Sequence, residues 1–299
     1  MILLYRIITN ILYPFFIALI YFRTIIKKED TKRFKEKIFK SSFNIKRTTK
    51  SKLIWFHAAS VGEAKSVLPI ILNLNKNKNL EFLITTVTLS SSNLILNEIK
   101  NYNNIHHHFF PLDVYFLIND FIKKWDPKAI FLVDSEIWPN LITCSKNNSI
   151  PISLINARIT KKSFRRWLLF SNTAKKLFNI FDLCLVSNLE TKDYLTRLNA
   201  KNIISNGNIK LISKLEQINK EDENSKFFEN KKFWCAISTH KGEEYFCISV
   251  HSLLKKKYKD IVSLIAPRHL NRVNNLRKMC ETQNIKYQIL DKDEQIQPG

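Results

Sequence analysis

Glycine is nearly absent from this 299-residue sequence, which holds only Gly62, Gly207, Gly242 and Gly299. With so few, neither a G-x-G-x-x-G turn nor a G-x-x-x-x-G-K loop can be assembled. That excludes the standard dinucleotide fingerprint and the P-loop NTPases. Cysteine is scarce as well. Cys144, Cys184, Cys235, Cys247 and Cys280 form no C-x-x-C pair. An odd count with apolar neighbours predicts reduced thiols in a cytoplasmic protein and no disulfide framework. Zinc spacing is missing too: His106, His107 and His108 are adjacent and alternate faces on a strand, so no metal is expected. Acidic residues are outnumbered, with 48 Lys plus Arg against 26 Asp plus Glu, a net charge of +22. Such a field favours nucleic acid, acidic lipid or phosphorylated substrates, although a Lys-, Asn- and Ile-rich composition alone also produces it. No nucleic-acid module or aromatic–basic patch accompanies the charge, so nucleic acid is not expected as a partner.

What is present begins at the N-terminus. Residues 1–22 are apolar apart from Arg6, Thr9 and Asn10. A helix of that length spans roughly the ~30 Å hydrocarbon layer, with a kink expected at Pro14. Residues 23–50 carry 11 Lys/Arg and 3 Asp/Glu. This positive-inside signal places the following chain on the cytoplasmic face, beside anionic inner-membrane lipids. A membrane anchor over 1–22 is the expectation, either spanning or interfacial, followed by a basic juxtamembrane segment. No small-residue cleavage site follows it, which argues against a removed signal peptide.

From residue 51 short apolar runs alternate with helical patterns. Strands are predicted at Leu53–Ala58, Glu81–Thr88, Ile105–Phe110, Ala129–Val133, Pro151–Ile155, Asp182–Ser187 and Ile203–Ser205. Helices are expected between them, including a single basic helix over Lys162–Phe178. Strands of this length alternating with helices predict an α/β domain with a parallel sheet over 51–211. Ligands of such sheets bind at the carboxyl ends of the strands. Residues 212–231 are polar and read as a linker or exposed helix. A second alternation over 232–299 has strands at Phe233–Ser238, Ile261–Ala266 and Ile285–Leu290. A βαβ unit takes ~30 residues, so about three strands fit, fewer than a self-sufficient doubly wound sheet needs.

The informative residues follow strands. After the first comes His57-Ala-Ala-Ser60-Val-Gly62-Glu63, where Gly62 permits a tight turn and small residues let a ligand approach the helix N-terminus. Ser60-x-x-Glu63 equally fits a capping box, and spacing alone favours the cap over catalysis. Asp134-Ser-Glu136-Ile-Trp-Pro-Asn140 follows the fourth strand and also reads as a helix start. Asn156-Ala-Arg158, Gly207-Asn-Ile-Lys210, Ser238-Thr239-His240-Lys-Gly-Glu243-Glu244 and Pro267-Arg268-His269 close later strands.

In this order and spacing, the strings SVGE, EIWPN, NAR, GNIK, STHKGEE and PRH resemble those of the Kdo transferases. These are glycosyltransferases of the GT-B type, with two Rossmann-like domains. The apolar N-terminus is similar too, and the likeness runs over essentially the whole chain. The resemblance implies transfer of Kdo (3-deoxy-D-manno-octulosonic acid) from CMP-Kdo to a lipid A precursor (lipid IVA), with inversion and no cofactor or metal. It implies Glu63 as general base, with Asp134 and Lys210 supporting the transition state. It implies substrate binding through Ser60, Gly62, Glu136, Arg158, Ser238, Thr239, His240, Glu243, Pro267, Arg268 and His269, with Arg268 gripping CMP. Where the family usually has Glu, this chain has Asp134, and Leu211 and Ile212 replace an aromatic and an aspartate. The family's later glycine-rich segments have no counterpart before Gly299. A second domain that is incomplete is therefore expected, and with it a chain that does not turn over alone. The competing expectations are an inactive or split fragment, or a GT-B transferase using another nucleotide sugar.

Overall fold

A computed structural model describes residues 1–43, 51–212, 223–229, 231–291 and 294–297. The chain divides into two compact units, Met1–Leu215 and Glu216–Gly299.

The first unit opens with two helices where one anchor helix was expected. Helix α1 spans Ile2–Ile11 and α2 spans Tyr13–Ile25, bent by 55°. Pro14 is the physical cause of the break. It has no amide hydrogen to donate and its ring clashes with the preceding turn, so it begins a new helix in the first turn of α2. Among the described residues no single helix is long and apolar enough to cross a membrane, although the bent pair together has that length and composition. One face of the pair docks on the unit: Tyr5 Oη donates to Asp113 (3.0 Å) and Tyr13 packs edge-on against Phe116. Leu3, Leu4, Ile7, Ile11, Phe15 and Phe22 point outward and are exposed. The basic segment that follows folds back onto the unit as far as residue 43, with buried Lys37 bonded to Glu29, and Arg33 to Glu36. The rest of that segment, 44–50, lies outside the described residues.

The sheet contains β1 Lys52–His57, β2 Leu80–Thr86, β3 Ile105–Phe109, β4 Ala129–Val133, β5 Ile152–Ala157, β6 Leu183–Val186 and β7 Ile203–Ser205. All pair in parallel in the order β3-β2-β1-β4-β5-β6-β7. Period-2 alternation divides the core. Leu53, Trp55, Ile130, Leu132 and Leu154 pack on one face; Phe56, Phe82, Ile84, Val133 and Ile155 pack on the other. The first face is covered by α5 Tyr115–Trp125, α6 Pro139–Asn147, α7 Lys161–Leu168, α8 Ser171–Phe178 and α9 Leu189–Arg197. The second is covered by α3 Val61–Leu74 and α4 Leu89–Ile99. Buried on both faces, the strands carry continuous apolar runs, as parallel sheets do. Helix α3 shows why these segments coil: Ser60 caps it, and Ala64, Val67, Leu68 and Ile71 bury one face at helical spacing.

The predicted helix over 162–178 is two helices, α7 and α8. They break at Leu169 and Phe170, where Phe170 leaves helical geometry at φ −124°, ψ 43°.

In the second unit, α10 Glu223–Phe228 precedes β8 Phe233–Thr239, α11 Glu243–Lys257, β9 Val262–Pro267 and α12 Val273–Thr282. Strands β8 and β9 pair in parallel across α11, a single βαβ. The strand expected over 285–290 does not form. Gln288 there exchanges hydrogen bonds with the backbone of Gln297 instead of a neighbouring strand. Among the described residues this sheet has two strands.

Candidate active site

Strand order alone locates a crevice. From β1 the chain runs to β2 on one side, and from β4 it runs to β5 on the other, although β1 and β4 are neighbours. Connections that diverge from adjacent strands leave a cleft outside their carboxyl ends, where ligands of open α/β sheets bind. The β1–α3 turn carries Glu63 and the β4–α6 turn carries Asp134 and Glu136, one on each side of this switch point.

Glu63 is held by its own turn. Ser60 Oγ accepts the Glu63 amide (3.4 Å) and donates to Glu63 Oε1 (2.9 Å), while Oε2 accepts the Ala59 amide (2.7 Å). Ser60 therefore caps the helix, and the Glu63 carboxylate reaches back one residue past the cap to the Ala59 amide, a variant of the capping box. It uses two of the carboxylate's about four lone-pair positions and leaves the others open. Burial pushes the Glu63 carboxyl above its usual range. The Ser60 and Ala59 bonds oppose the rise, and the charges of Glu136 and Asp134 add to it. Gly62 is exposed in the first turn of α3 without a left-handed φ, so the tight turn expected there is absent. A Cβ at that position would meet nothing within 4 Å, so space beside Glu63 is open.

Asp134 stands at φ +57° and Asn156 at φ +53°, left-handed positions in which only short polar side chains are common outside glycine. The turn at Asn156 breaks the alternation of β5, so Ile155 and Ala157 pack on opposite faces of the sheet. It also aims the side chain across the crevice. Asn156 Nδ2 donates to Asp134 Oδ1, and Asn156 Oδ1 accepts the Ile209 amide (3.0 Å). Gly207, at φ +77°, turns the chain after β7, and Ile209 is buried against the α3 side of the core. Lys210 Nζ is thereby carried to Asp134 Oδ2 at 2.6 Å. Three strand ends, those of β4, β5 and β7, thus converge on one acidic–basic pair.

Glu136 is braced from behind. Its Oε2 accepts Trp138 Nε1 (2.7 Å) and lies 3.3 Å from His57 Nε2. His57 is fully buried and stacked on Phe110, with Nδ1 2.9 Å from Thr85 Oγ1, which also accepts Trp55 Nε1. With Trp55 always the donor, the Thr85 hydroxyl can donate to His57 Nδ1, and His57 Nε2–H then donates to Glu136. Arg158 is exposed beside this group; its amide bonds Asp134 O and its carbonyl accepts Ser135 Oγ.

Of the residues singled out in the first unit, Ser60, Gly62, Glu63, Asp134, Glu136, Arg158 and Lys210 all lie at the carboxyl ends of the sheet. The sequence alone gives no role to Asn156, His57, Thr85 or Trp138. For Asn156 the available signal is an asparagine closing a strand, a residue type that tolerates left-handed geometry. Thr85 has none, because its partners come together only once β1 and β2 pair.

The second unit has its own cluster. Ser238 takes φ +62°, and Glu243, the first residue of α11, reaches back to accept the His240 amide (2.7 Å). Thr239 is buried and donates to Glu244, which Arg272 binds through two nitrogens (2.6 and 2.8 Å). The Arg272 guanidinium holds the Glu244 carboxyl below its ordinary range. Arg268 and His269 are exposed after β9, with Pro267 partly buried.

The sequence profile of a family described as 3-deoxy-D-manno-octulosonic-acid transferase (kdotransferase) matches residues 32–213. "Probable 3-deoxy-D-manno-octulosonic acid transferase, mitochondrial" of Arabidopsis thaliana is 34% identical over 228 residues, 73% of this chain and 50% of that protein. The 3-deoxy-D-manno-octulosonic acid transferase of Rickettsia bellii is 28% identical over 285 residues, 94% of this chain and 67% of that protein. The chain thus spans half to two thirds of the length of these relatives. Among solved structures, UDP-GlcNAc 2-epimerase from Neisseria meningitidis bound to UDP-GlcNAc aligns with TM-score 0.57 at 17% identity, covering 79% of this chain and 70% of that one. A glycosyltransferase from Rickettsia africae aligns with TM-score 0.53 at 13% identity, covering 79% and 66%. These two likenesses concern the fold alone.

Proposed function

The chain belongs to the 3-deoxy-D-manno-octulosonic-acid transferase family, and we propose that it transfers Kdo from CMP-Kdo to a lipid A precursor, with Glu63 as general base. One observation carries this reading. A carboxyl group raised by burial lies at the switch point of the sheet, beside two further carboxylates and a lysine. A base must be ionised to act yet basic enough to take a hydroxyl proton, and a raised glutamate meets both demands near neutral pH.

In the proposed step Glu63 accepts the proton of the acceptor hydroxyl while that oxygen bonds to the anomeric carbon. The bond from this carbon to the phosphate oxygen breaks, and CMP leaves with the electron pair. Lys210, fixed by Asp134, offers its charge to the sugar carboxylate or the departing phosphate. Glu136 and Arg158 line the acceptor side with Ser60 and Gly62. Ser238, His240, Glu243 and Pro267 shape the donor site, with Thr239 supporting from within and Arg268 and His269 gripping phosphate. The outward apolar face of α1–α2 rests on the anionic inner membrane, where the lipid acceptor resides.

The reaction is tested by extending the whole chain, with its own residues 216–299 kept, by the continuation of a longer relative and supplying CMP-Kdo with lipid A precursor. A product heavier by one Kdo is expected. Hydrolysis of donor without transfer, or use of a UDP-sugar in its place, would reject the assignment.

A further inference from the structure

The turn between α7 and α8 exposes features that the transfer reaction does not use. From Arg158 through Phe181 the sequence contains no acidic residue and seven Lys or Arg. Helix α7 sorts them sharply. Phe164 is buried and stacks on Tyr194 with ring centroids 4.2 Å apart, and Trp167 meets Phe178 edge-on at 5.3 Å. The opposite face carries Lys161, Lys162, Arg165 and Arg166, which with Leu169 line an open depression of about 500 Å³. Beyond the last turn, Leu169 is 76% exposed and Phe170 52% exposed.

A solvated basic face accounts for the four cations but not for a leucine and a phenylalanine left in water at the very corner where the helix breaks. Cations ringing exposed apolar side chains are the composition of a surface that lies in a lipid headgroup layer, with long basic stems reaching to phosphates. The corner also shares a helix layer with the N-terminal pair: α1 packs on α6, and α6 packs on α8.

We propose that the α7–α8 corner is a second bilayer contact, in which Lys161, Lys162, Arg165 and Arg166 take anionic lipid headgroups and Leu169 and Phe170 enter the acyl boundary. The proposal rests on the reading of α1–α2 as lipid-facing, since a corner this small binds usefully only as one of two linked contacts. With both in place, the first unit is held in a fixed orientation on the membrane, not tethered loosely by its end.

The test uses the full chain with Cys235→Ser and Cys280→Ser, so that an added cysteine is the sole accessible thiol. Leu169→Cys carries an environment-sensitive fluorophore, and Ile11→Cys carries the same label in a parallel protein. On vesicles of phosphatidylethanolamine with phosphatidylglycerol, the label at 169 should shift to the blue and brighten. Arg165→Glu with Arg166→Glu should raise the lipid concentration for half-binding by about tenfold or more, given the worth of each cation at an anionic surface. An unshifted label at 169 on vesicles that bind the chain would overturn the proposal, as would unchanged binding by the double variant. A shift produced by inorganic phosphate alone would assign the corner to soluble anions and equally overturn it. The label at Ile11 keeps the two readings apart: a response there with silence at 169 keeps the α1–α2 contact and overturns the corner alone, whereas silence at 11 with a response at 169 rejects the linked pair of contacts.

Discussion

Asp134 and Asn156 meet because both strand ends turn into the left-handed region, where each side chain faces the crevice instead of the core. The family strings contain Asn156 and Lys210, whereas Asp134 stands where the family usually has Glu; Asn156 joins Asp134 to the Ile209 amide, and its value lies in φ as much as in hydrogen bonding. Two substitutions separate these contributions. Asn156→Gly removes the side-chain bonds and tolerates the backbone; Asn156→Ala removes the same bonds and also opposes the backbone by about 1–2 kcal/mol. Urea denaturation should therefore find the Ala variant less stable than the Gly variant by about 1 kcal/mol, and equal stabilities would show that φ at 156 is unstrained. Lys210 is different. It is 40% exposed and bonded to Asp134, a class of pair worth about 0–1 kcal/mol to stability. Lys210→Met should leave the denaturation midpoint nearly unchanged while reducing transfer at least tenfold, and a loss of stability matching the loss of transfer would return Lys210 to a structural role.

At the scale of elements, helix α6 shows how the acidic turn is anchored from behind. Asp113 accepts the Asn140 and Leu141 amides (3.0 and 2.9 Å) at the start of α6 and the Tyr5 hydroxyl of α1. Burial pushes its carboxyl from 3.8 to about 6, opposed by the Asn140, Leu141 and Tyr5 bonds and by His57. A folded-state pKa above the unfolded value means that the native chain holds this proton more tightly. The associated stabilisation is complete below about pH 4 and is lost as pH rises through about 6. Two pKa units correspond to about 3 kcal/mol. The stability of the native chain relative to Asp113→Asn should therefore fall by up to that amount between about pH 4 and pH 7. A difference that stays flat across this range would mean that Asp113 titrates normally. None of this was legible in the sequence, because Asp113 gains meaning only from contacts 27 and 108 positions away. The seven strands of the first unit were legible, since most are apolar runs between polar breaks, with the histidine-rich β3 framed by Ile105 and Phe109. The division of 162–178 was not, because Leu169 and Phe170 continue an apolar pattern that reads as helix while the backbone turns there. The expected strand over 285–290 failed for the opposite reason: alternation supplied the pattern, but no neighbouring strand took up its hydrogen bonds.

For the whole molecule, a parallel seven-stranded unit, an exposed apolar N-terminal pair and a surplus of positive charge all suit the proposed handling of an anionic lipid substrate at a membrane. The glycine poverty that excludes nucleotide loops also leaves strand ends to be turned by Asp134, Asn156 and Ser238, the last two within the strings that resemble the family's. The central claim is that Glu63 is a base and not only a cap. It is tested most directly by the rate of Kdo transfer to lipid A precursor, measured against pH for the whole chain extended by the continuation of a longer relative, with and without Glu63→Gln. Glutamine completes the same capping box, so circular dichroism and the denaturation midpoint should be unchanged. The parent should lose activity as pH falls through a value above the ordinary glutamate range, and the Gln variant should be slower by about 10²–10⁴-fold without that acid limb. A Gln variant that transfers Kdo at near the parental rate, with the same pH profile, would contradict the account.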